Sequence, residues 1–242
     1  MRPVYIQSKD GFPLSVNCYQ AWRGFSERGY DCRWISFQEM QSTDCLESEA
    51  IVFGSIGLAR KGLELLGVPN PPNLDYPAEL RLFLGRTVGE STLGEVRSLF
   101  MEGGHPAKFV KPRDTQKAFT GYVIERYKDL IKTAEFDDDM PVYVQDPVSF
   151  ASEWRVYVLR GEVLGIGHYH GDPLEMPTPS VVRAMVQAYD SAPVAYGLDV
   201  GLSRGRTQLV EVNDAYALGS YGLHHLRYVQ MIEARWDELV QR

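Results

Sequence analysis

The residues best suited to chemistry lie near the C-terminus, where the apolar run 209–214 carries a carboxylate and an amide. Successive side chains of a strand alternate between its two faces, so Glu211 and Asn213 would share one face. Oxygen donors of this kind suit Mg²⁺, which shares its remaining positions with phosphates and water. Asp199, in a strand-like segment just upstream, offers a third oxygen ligand. Because a Glu-x-Asn triplet arises easily by chance, the prediction of a magnesium site depends on the rest of the chain.

Lysines that would oppose these carboxylates lie earlier in the chain. Lys108 and Lys111 belong to an extended segment that ends at a proline. Being three residues apart on a strand, they would face opposite sides, so that one serves phosphate as a point charge. Solvent-facing lysines on an edge strand are the alternative. The polar loop that follows has too few glycines for a P-loop, and Lys117 would be the tip either of a phosphate flap or of a mobile hairpin.

A second charged pair lies in the segment that follows. Glu153 and Arg155 flank a tryptophan and would share one strand face. Charged side chains on a buried strand are expected only where they are paired or serve a ligand, so a salt bridge and a cation that stabilises a phosphoryl group both remain open. His168 and His170 share a face in the same way and would lie near a substrate, because two histidines fall short of a zinc site.

The elements that must position these residues form a mixed α/β pattern. Strands near 4–7, 32–37 and 50–54, with helices near 17–28 and 57–67, predict a small α/β lobe with a parallel sheet. The proline-rich stretch 70–77 cannot form regular structure and would be a linker. Beyond it the sequence predicts helices at 79–85 and 93–101, strands at 108–112, 119–124, 142–145, 153–159 and 163–170, a helix at 179–192, two strands around 196–214, and a terminal helix at 223–242.

Composition narrows the functional class. The chain has 242 residues and a formal net charge of −7, which argues against broad binding to nucleic acids or anionic membranes. Its three cysteines have no metal-like spacing and are expected to be reduced, as in a cytoplasmic protein. The N-terminus lacks a secretion signal, and no apolar run approaches the roughly 20 residues needed to cross a bilayer. We therefore expect a cytoplasmic protein without nucleic-acid or membrane partners, and a homodimer is left open.

Taken in order, these segments resemble the ATP-grasp enzymes. The resemblance rests on Phe-Val-Lys-Pro at 109–112, Glu-Trp-Arg-Val at 153–156, Leu-Asp-Val at 198–200 and Val-Glu-Val-Asn at 210–213. It implies an α/β (α+β) ATP-grasp fold, with a small N-terminal lobe at 1–75 and an ATP-grasp domain at 76–242. Two α+β lobes of that domain would clasp ATP around an adenine hinge near 142–146.

The resemblance also implies roles for individual residues. Lys111 would contact the ATP phosphates, with Lys108 or Lys117 assisting. The hinge that holds adenine would be the backbone of Tyr143, Val144 and Gln145. Glu153 would lie near the ribose or orient Arg155, which would face the phosphates or an acyl phosphate. Mg²⁺ would be held by Asp199, Glu211 and Asn213, and the substrate would lie near His168, His170 and Ser220.

The implied reaction joins a carboxylate to an amine at the expense of ATP, through an acyl phosphate, with small-molecule or peptide substrates. Positioning and charge neutralisation would supply most of the catalysis. Two alternatives stay open: an inactive ATP-binding regulatory module and a small-molecule kinase. The chain departs from the family in its glycine-poor flap at 117–121, and in Gln145 and Asp146 where a hinge glutamate is expected. It is also short, which predicts a reduced N-terminal lobe.

Overall fold

The structure is a computed structural model that describes residues 1–114 and 118–241. Its first sheet contains the predicted parallel strands. The strands are β1 (Pro3–Lys9), β2 (Phe12–Pro13), β3 (Asp31–Ile35) and β4 (Ile51–Phe53), and the helices of this lobe are α1 (Val16–Glu27), α2 (Phe37–Gln41) and α3 (Ile56–Leu65). β1 lies between β3 and β4 and is parallel to both, while β2 pairs with its end in antiparallel fashion. The α/β lobe expected from the sequence is thus confirmed.

The second sheet is antiparallel and carries the first lysine pair. Its strands are β5 (Val88–Thr92), β6 (Lys108–Pro112), β7 (Tyr122–Ile124) and β8 (Pro141–Gln145), in the order β5-β8-β6-β7, and it is accompanied by α4 (Leu93–Glu102) and a 3-10 helix at Tyr127–Thr133. Thr92 and Glu95 form the capping box that starts α4, as their spacing predicts. β5 was not expected, because its mostly polar sequence shows no strand-like alternation; its pairing with β8 stabilises it.

The third sheet is also antiparallel, in the order β10-β9-β11-β12. It consists of β9 (Ser152–Leu159), β10 (Glu162–Gly171), β11 (Ala195–Ser203) and β12 (Arg206–Asp214), followed by a 3-10 helix at Ala215–Ala217. One face packs Trp154, Val156 and Leu198 into a core with α5 (Pro179–Ala188) and a 3-10 helix at Ala78–Phe83. The residues that alternate with these, among them Arg155, therefore face the other way, toward the first lobe.

The C-terminal helix α6 (His225–Leu239) completes the core of the first lobe, and its Arg235 also pairs with Asp214 at the end of β12. Trp236 is fully buried in the core of the first lobe, and its Nε1 donates a hydrogen bond to the Ala50 carbonyl oxygen at 2.8 Å. A lobe that ended at residue 75 would lack this helix. The lobe boundary predicted from the sequence therefore leaves out a part of the lobe that comes from the C-terminal end of the chain. Within the residues that the structure describes, no helix has both the length and the apolar character needed to cross a bilayer.

The docking of α6 on α1 can be tested at Gly24. A Cβ added there would lie 2.6 Å from the His225 carbonyl oxygen and 2.7 Å from Val229 Cγ1. We expect Gly24→Ala to lower the free energy of unfolding by about 1–3 kcal/mol, because overpacking outweighs the gain in helix propensity. The matched control is Gly57→Ala in α3, where the nearest atom is 3.4 Å away and stability should hold or rise. Equal denaturation midpoints for the two variants would contradict this packing.

Candidate active site

Lys111 lies at the centre of a cleft between the second and third sheets. Its Nζ is 2.5 Å from Asp75 Oδ1 and 2.7 Å from Glu211 Oε2, and it lies 4.9 Å from the centre of the Tyr76 ring. Burial alone would lower the pKa of Lys111, but the attraction of Glu211 and Asp75 raises it well above its usual range. The same ion pair holds the pKa of Glu211 below its ordinary value in spite of burial. Lys111 is therefore a fixed cation that joins the two sheets.

Asp75 is a site residue that sequence reasoning missed. It lies in the proline-rich linker, yet it is only 9% exposed, and its φ of 33° is in the left-handed region. Its carbonyl oxygen accepts a hydrogen bond from the Val212 amide at 2.8 Å, which attaches the linker to the outer edge of β12. Burial raises the pKa of Asp75, although Lys111 opposes the shift. Proline-rich composition predicts a loop, and nothing in it indicates that the loop enters the cleft.

Arg155 and Asp199 form a buried ion pair on the face of the third sheet that looks toward the first lobe. Arg155 Nε and Nη2 donate to the two carboxylate oxygens at 2.6 and 2.7 Å, and the two residues are 7% and 2% exposed. Burial raises the pKa of Asp199 to about 6 although Arg155 lowers it. The carboxylate raises the pKa of Arg155 against the effect of burial. The sequence suggested a salt bridge of Arg155 with Glu153, and the structure pairs it with Asp199 instead.

The three side chains proposed for Mg²⁺ converge on one point. Asn213 Nδ2 lies 3.1 Å from Asp199 Oδ2 and 3.2 Å from Glu211 Oε1, so both carboxylates are within reach of the same amide group. If the Asn213 amide were rotated, its oxygen rather than its nitrogen would face the two carboxylates and could bind a metal ion. In the described ranges no group of three or more His, Cys, Asp or Glu side chains is arranged to hold a metal, so the amide of Asn213 is needed as the third ligand of this set. Two carboxylates and an amide do fit Mg²⁺, because this ion takes few protein ligands and completes its shell with phosphates and water.

Aromatic rings cover the Arg155 guanidinium on one side. Tyr169 and Tyr221 are stacked with centroids 5.0 Å apart, and the Arg155 Cζ lies 4.9 Å from the centre of the Tyr221 ring. The Tyr169 hydroxyl donates to Glu153 Oε2 at 2.9 Å. Tyr221 has a φ of 33°, a conformation that costs energy for a residue with a side chain and that recurs at functional sites. Sequence reasoning missed both tyrosines, which the fold brings together from β10 and from the loop before α6.

Two cavities meet at Glu211. The first, of about 200 Å³, lies between the second and third sheets and is lined by Tyr76, Arg86, Phe109, Lys111, Gln145, Asp146, Val148, Phe150, Glu153, Val210 and Glu211. The second, of about 430 Å³, lies against the first lobe, and its walls include Ser15, Asn17, Ser55, Arg155, Glu211, Asn213 and Tyr221. Glu211 thus forms part of both walls, with Lys111 in the first cavity and Arg155 in the second.

The predicted adenine hinge lies at the edge of the first cavity. β8 is paired with β5 on one side and with β6 on the other, and the registers include Tyr143, Val144 and Gln145. Their backbone groups are therefore directed toward neighbouring strands, and β8 ends at Gln145. Gln145 contributes its buried side chain to the cavity, and Asp146 and Val148 follow it there. The prediction of an adenine hinge at 142–146 stays a prediction.

Of the two other predicted phosphate-binding lysines, Lys108 does not line the first cavity. Lys108 faces the side of β6 opposite to Lys111, as the spacing predicts, and its Nζ pairs with Asp146 at 2.7 Å. Lys117 lies outside the described residues. Among the described residues that line the first cavity, Lys111 is the lysine that can reach a phosphate there.

The expectation that His168 and His170 share a face is wrong. An irregularity in the pairing of β10 with β9 places His168 opposite Trp154 and His170 opposite Glu153, which point to opposite faces. The His168 ring packs on Trp154 with centroids 4.9 Å apart, away from Arg155, whereas the exposed His170 lies 3.3 Å from Glu153. A β-bulge inserts one residue and so reverses the alternation on which the expectation rested.

Ser220, which was expected near the substrate, is buried between the first lobe and the third sheet. Its amide and hydroxyl both donate to Asn17 Oδ1, at 2.9 and 3.1 Å. Gly219 and Tyr221 on either side of it line the larger cavity. Ser220 therefore fixes the loop that contributes to this wall, and its hydroxyl is engaged by Asn17.

Comparisons with known proteins agree with this geometry. The sequence profile of the ATP-grasp domain, R2K clade family 2, matches residues 83–231, more than half of the chain. No curated protein matches the sequence significantly. Among solved structures, D-alanine–D-alanine ligase from Bacillus anthracis is similar over 99% of this chain and 98% of its own, with a TM-score of 0.55 and 16% identity.

Two further structures resemble the chain in the same way. D-cycloserine synthetase DcsG has a TM-score of 0.58 and 13% identity over 96% of this chain and 99% of its own. The ATP-grasp ligase PsnB, solved with a minimal precursor, has a TM-score of 0.52 and 16% identity over 96% and 99%. At these identities the likeness shows the fold, and the profile match shows the family. The chain belongs to the ATP-grasp superfamily, within the R2K clade.

Proposed function

We propose that this protein is an ATP- and Mg²⁺-dependent carboxylate–amine ligase that forms an amide bond through an acyl phosphate. The observation that carries the proposal is the position of Glu211 in the walls of two cavities, one containing Lys111 and the other Arg155. A nucleotide in the first cavity and an acceptor in the second would meet at this residue. A ligase requires such an arrangement, because the terminal phosphoryl group must pass from one bound molecule to the other.

In the proposed reaction, a carboxylate oxygen of the acceptor attacks the terminal phosphorus of ATP, and the bond to ADP breaks. The amine then attacks the acyl carbon, a C–N bond forms, and phosphate leaves while the nitrogen loses a proton. Lys111 is suited to hold the nucleotide phosphates, and Arg155 to stabilise the negative charge of the acyl phosphate and its breakdown. Mg²⁺, when held by Glu211, Asn213 and Asp199, would neutralise charge on the phosphates.

The direct test is to incubate the protein with ATP, Mg²⁺ and a panel of carboxylates and amines that includes amino acids and short peptides. Release of ADP and phosphate, with a product whose mass corresponds to condensation, supports a ligase. ADP with a stable phosphorylated product would replace the proposal by a kinase. Binding of ATP without turnover across the panel would favour a regulatory module.

The metal assignment makes a separate prediction at Glu211. We expect Glu211→Ala to abolish Mg²⁺-dependent turnover while the protein stays folded, because Lys111 keeps Asp75 as a partner when Glu211 is removed. Turnover measured across a Mg²⁺ titration, together with a circular dichroism spectrum, checks both parts. Glu162→Ala, an exposed glutamate at the start of β10, is the control. Full activity in Glu211→Ala would end the metal assignment.

A further inference from the structure

Two segments of the chain connect the second and third sheets. The first runs from Leu84, which is buried in the core of the third sheet, to Val88 at the start of β5. The second runs from Gln145 at the end of β8 to Ser152 at the start of β9. The proposed nucleotide cavity lies beside these segments, so the angle between its walls depends on how they are held.

Arg86 lies in the first of these segments. It donates hydrogen bonds within its own segment, to the end of β8 and to β12. Its Nε donates to Gln145 Oε1 at 2.5 Å, its Nη1 to the carbonyl oxygens of Leu84 and Leu209 at 2.9 and 2.7 Å, and its Nη2 to the carbonyl oxygen of Val210 at 2.8 Å. One guanidinium thus ties the two connections to each other and to the outer edge of β12, immediately before Glu211.

The surroundings of Arg86 indicate a positioning role rather than direct phosphate binding. Four of its five N–H groups are used by neutral oxygens, and among the described residues it forms no salt bridge. Burial lowers its pKa. Placing a charged group among neutral acceptors is costly, and a lysine could not make the same set of bonds, because only guanidinium presents a rigid fork of donors. The hydrogen bonds of Arg86 therefore fix the position of β12 relative to β8, although burying the guanidinium lowers the free energy of unfolding.

The segment also lies close against β12. Gly85 has a φ of 62°, which favours glycine, and an added Cβ would collide with the side chain of Gln208. The edge of β12 is therefore held at two successive carbonyl groups, those of Leu209 and Val210, by Arg86. Asp75 adds a third contact at Val212.

We propose that Arg86 is a positioning residue of the nucleotide site, which sets the distance between Glu211 on β12 and Lys111 on β6 by tying β12 to the end of β8. The inference rests on the proposed function, because it assumes that ATP binds in the smaller cavity. It adds that nucleotide affinity depends on a residue that uses four of its five N–H donors within the protein. Gln145 is then required as the acceptor that links Arg86 to the second sheet.

The test measures the Kd of a non-hydrolysable ATP analogue with Mg²⁺ by calorimetry, together with the thermal unfolding midpoint. We expect Arg86→Ala to weaken binding at least tenfold and Arg86→Lys to weaken it less. Gln145→Ala should add little to the effect of Arg86→Ala, because both remove the same link. Arg81→Ala, an exposed arginine of the preceding 3-10 helix, should leave Kd unchanged.

The possible outcomes distinguish a failure of the proposed ligase function from a failure of the proposed role of Arg86. If the unaltered protein binds no analogue, the proposed function fails and the inference fails with it. If it binds, and Arg86→Ala lowers the unfolding midpoint without changing Kd, Arg86 is merely structural and the inference alone is overturned. If Arg86→Ala does not fold, Arg86→Lys and Gln145→Ala decide, and an unchanged Kd in both would overturn it.

Discussion

Replacing Lys111 with methionine is expected to reduce turnover by about 10³-fold and to lower the free energy of unfolding by about 3 kcal/mol. The first effect follows from removing the cation proposed to hold the nucleotide phosphates. The second follows because the carboxylates of Asp75 and Glu211 would lose the buried cation that they share. Turnover assays and urea denaturation measure the two effects independently. Lys132→Met, at an exposed lysine, should change neither quantity.

A double variant separates the two roles of Lys111. Adding Asp75→Asn to Lys111→Met removes one of the two uncompensated charges, so part of the lost stability should return. Turnover should stay as low as in the single variant, since no cation is restored. If the double variant recovered activity along with stability, Lys111 would serve the fold alone and the proposed phosphate contact would be wrong.

The sequence predicts well those residues whose partners lie on the same or the next strand. Glu211 and Asn213 share a face because strands alternate, and Asp199 reaches them because β11 and β12 form an antiparallel pair. The opposite orientation of Lys108 and Lys111 follows from the same rule. These relations depend on local periodicity, which a single sequence expresses directly.

What the sequence could not show depends on contacts between distant segments. Asp75 and Arg86 lie in stretches that read as a linker and as the space between two helices, and their partners on β6, β8 and β12 are 36 to 137 positions away. α6 joins the first lobe from the opposite end of the chain. The bulge in β10 could not be predicted for a related reason. One extra residue leaves the strand-like character of the sequence unchanged, yet it reverses the faces of the residues that follow.

The pair formed by Arg155 and Asp199 allows the fold and the chemistry to be tested apart. Arg155→Ala should lower the free energy of unfolding by about 3–5 kcal/mol, because it leaves the Asp199 carboxylate buried without a cation. Arg155→Lys keeps the charge but cannot donate two parallel hydrogen bonds to one carboxylate. We expect it to reduce turnover by about 10²-fold. In each single variant, a loss of turnover could therefore come from lower stability or from the missing guanidinium.

Replacing both members removes that ambiguity. In the double variant Arg155→Met with Asp199→Leu, no buried charge is left unpaired, so the free energy of unfolding should return to within about 1 kcal/mol of the unaltered protein. Turnover should remain undetectable, because the double variant lacks both the cation proposed to stabilise an acyl phosphate and one of the proposed Mg²⁺ ligands. A stable but inactive double variant would mean that the pair is retained for chemistry, since an apolar pair would serve the fold equally well. A double variant that is active would exclude Arg155 from the reaction, and the second cavity would then need another cation.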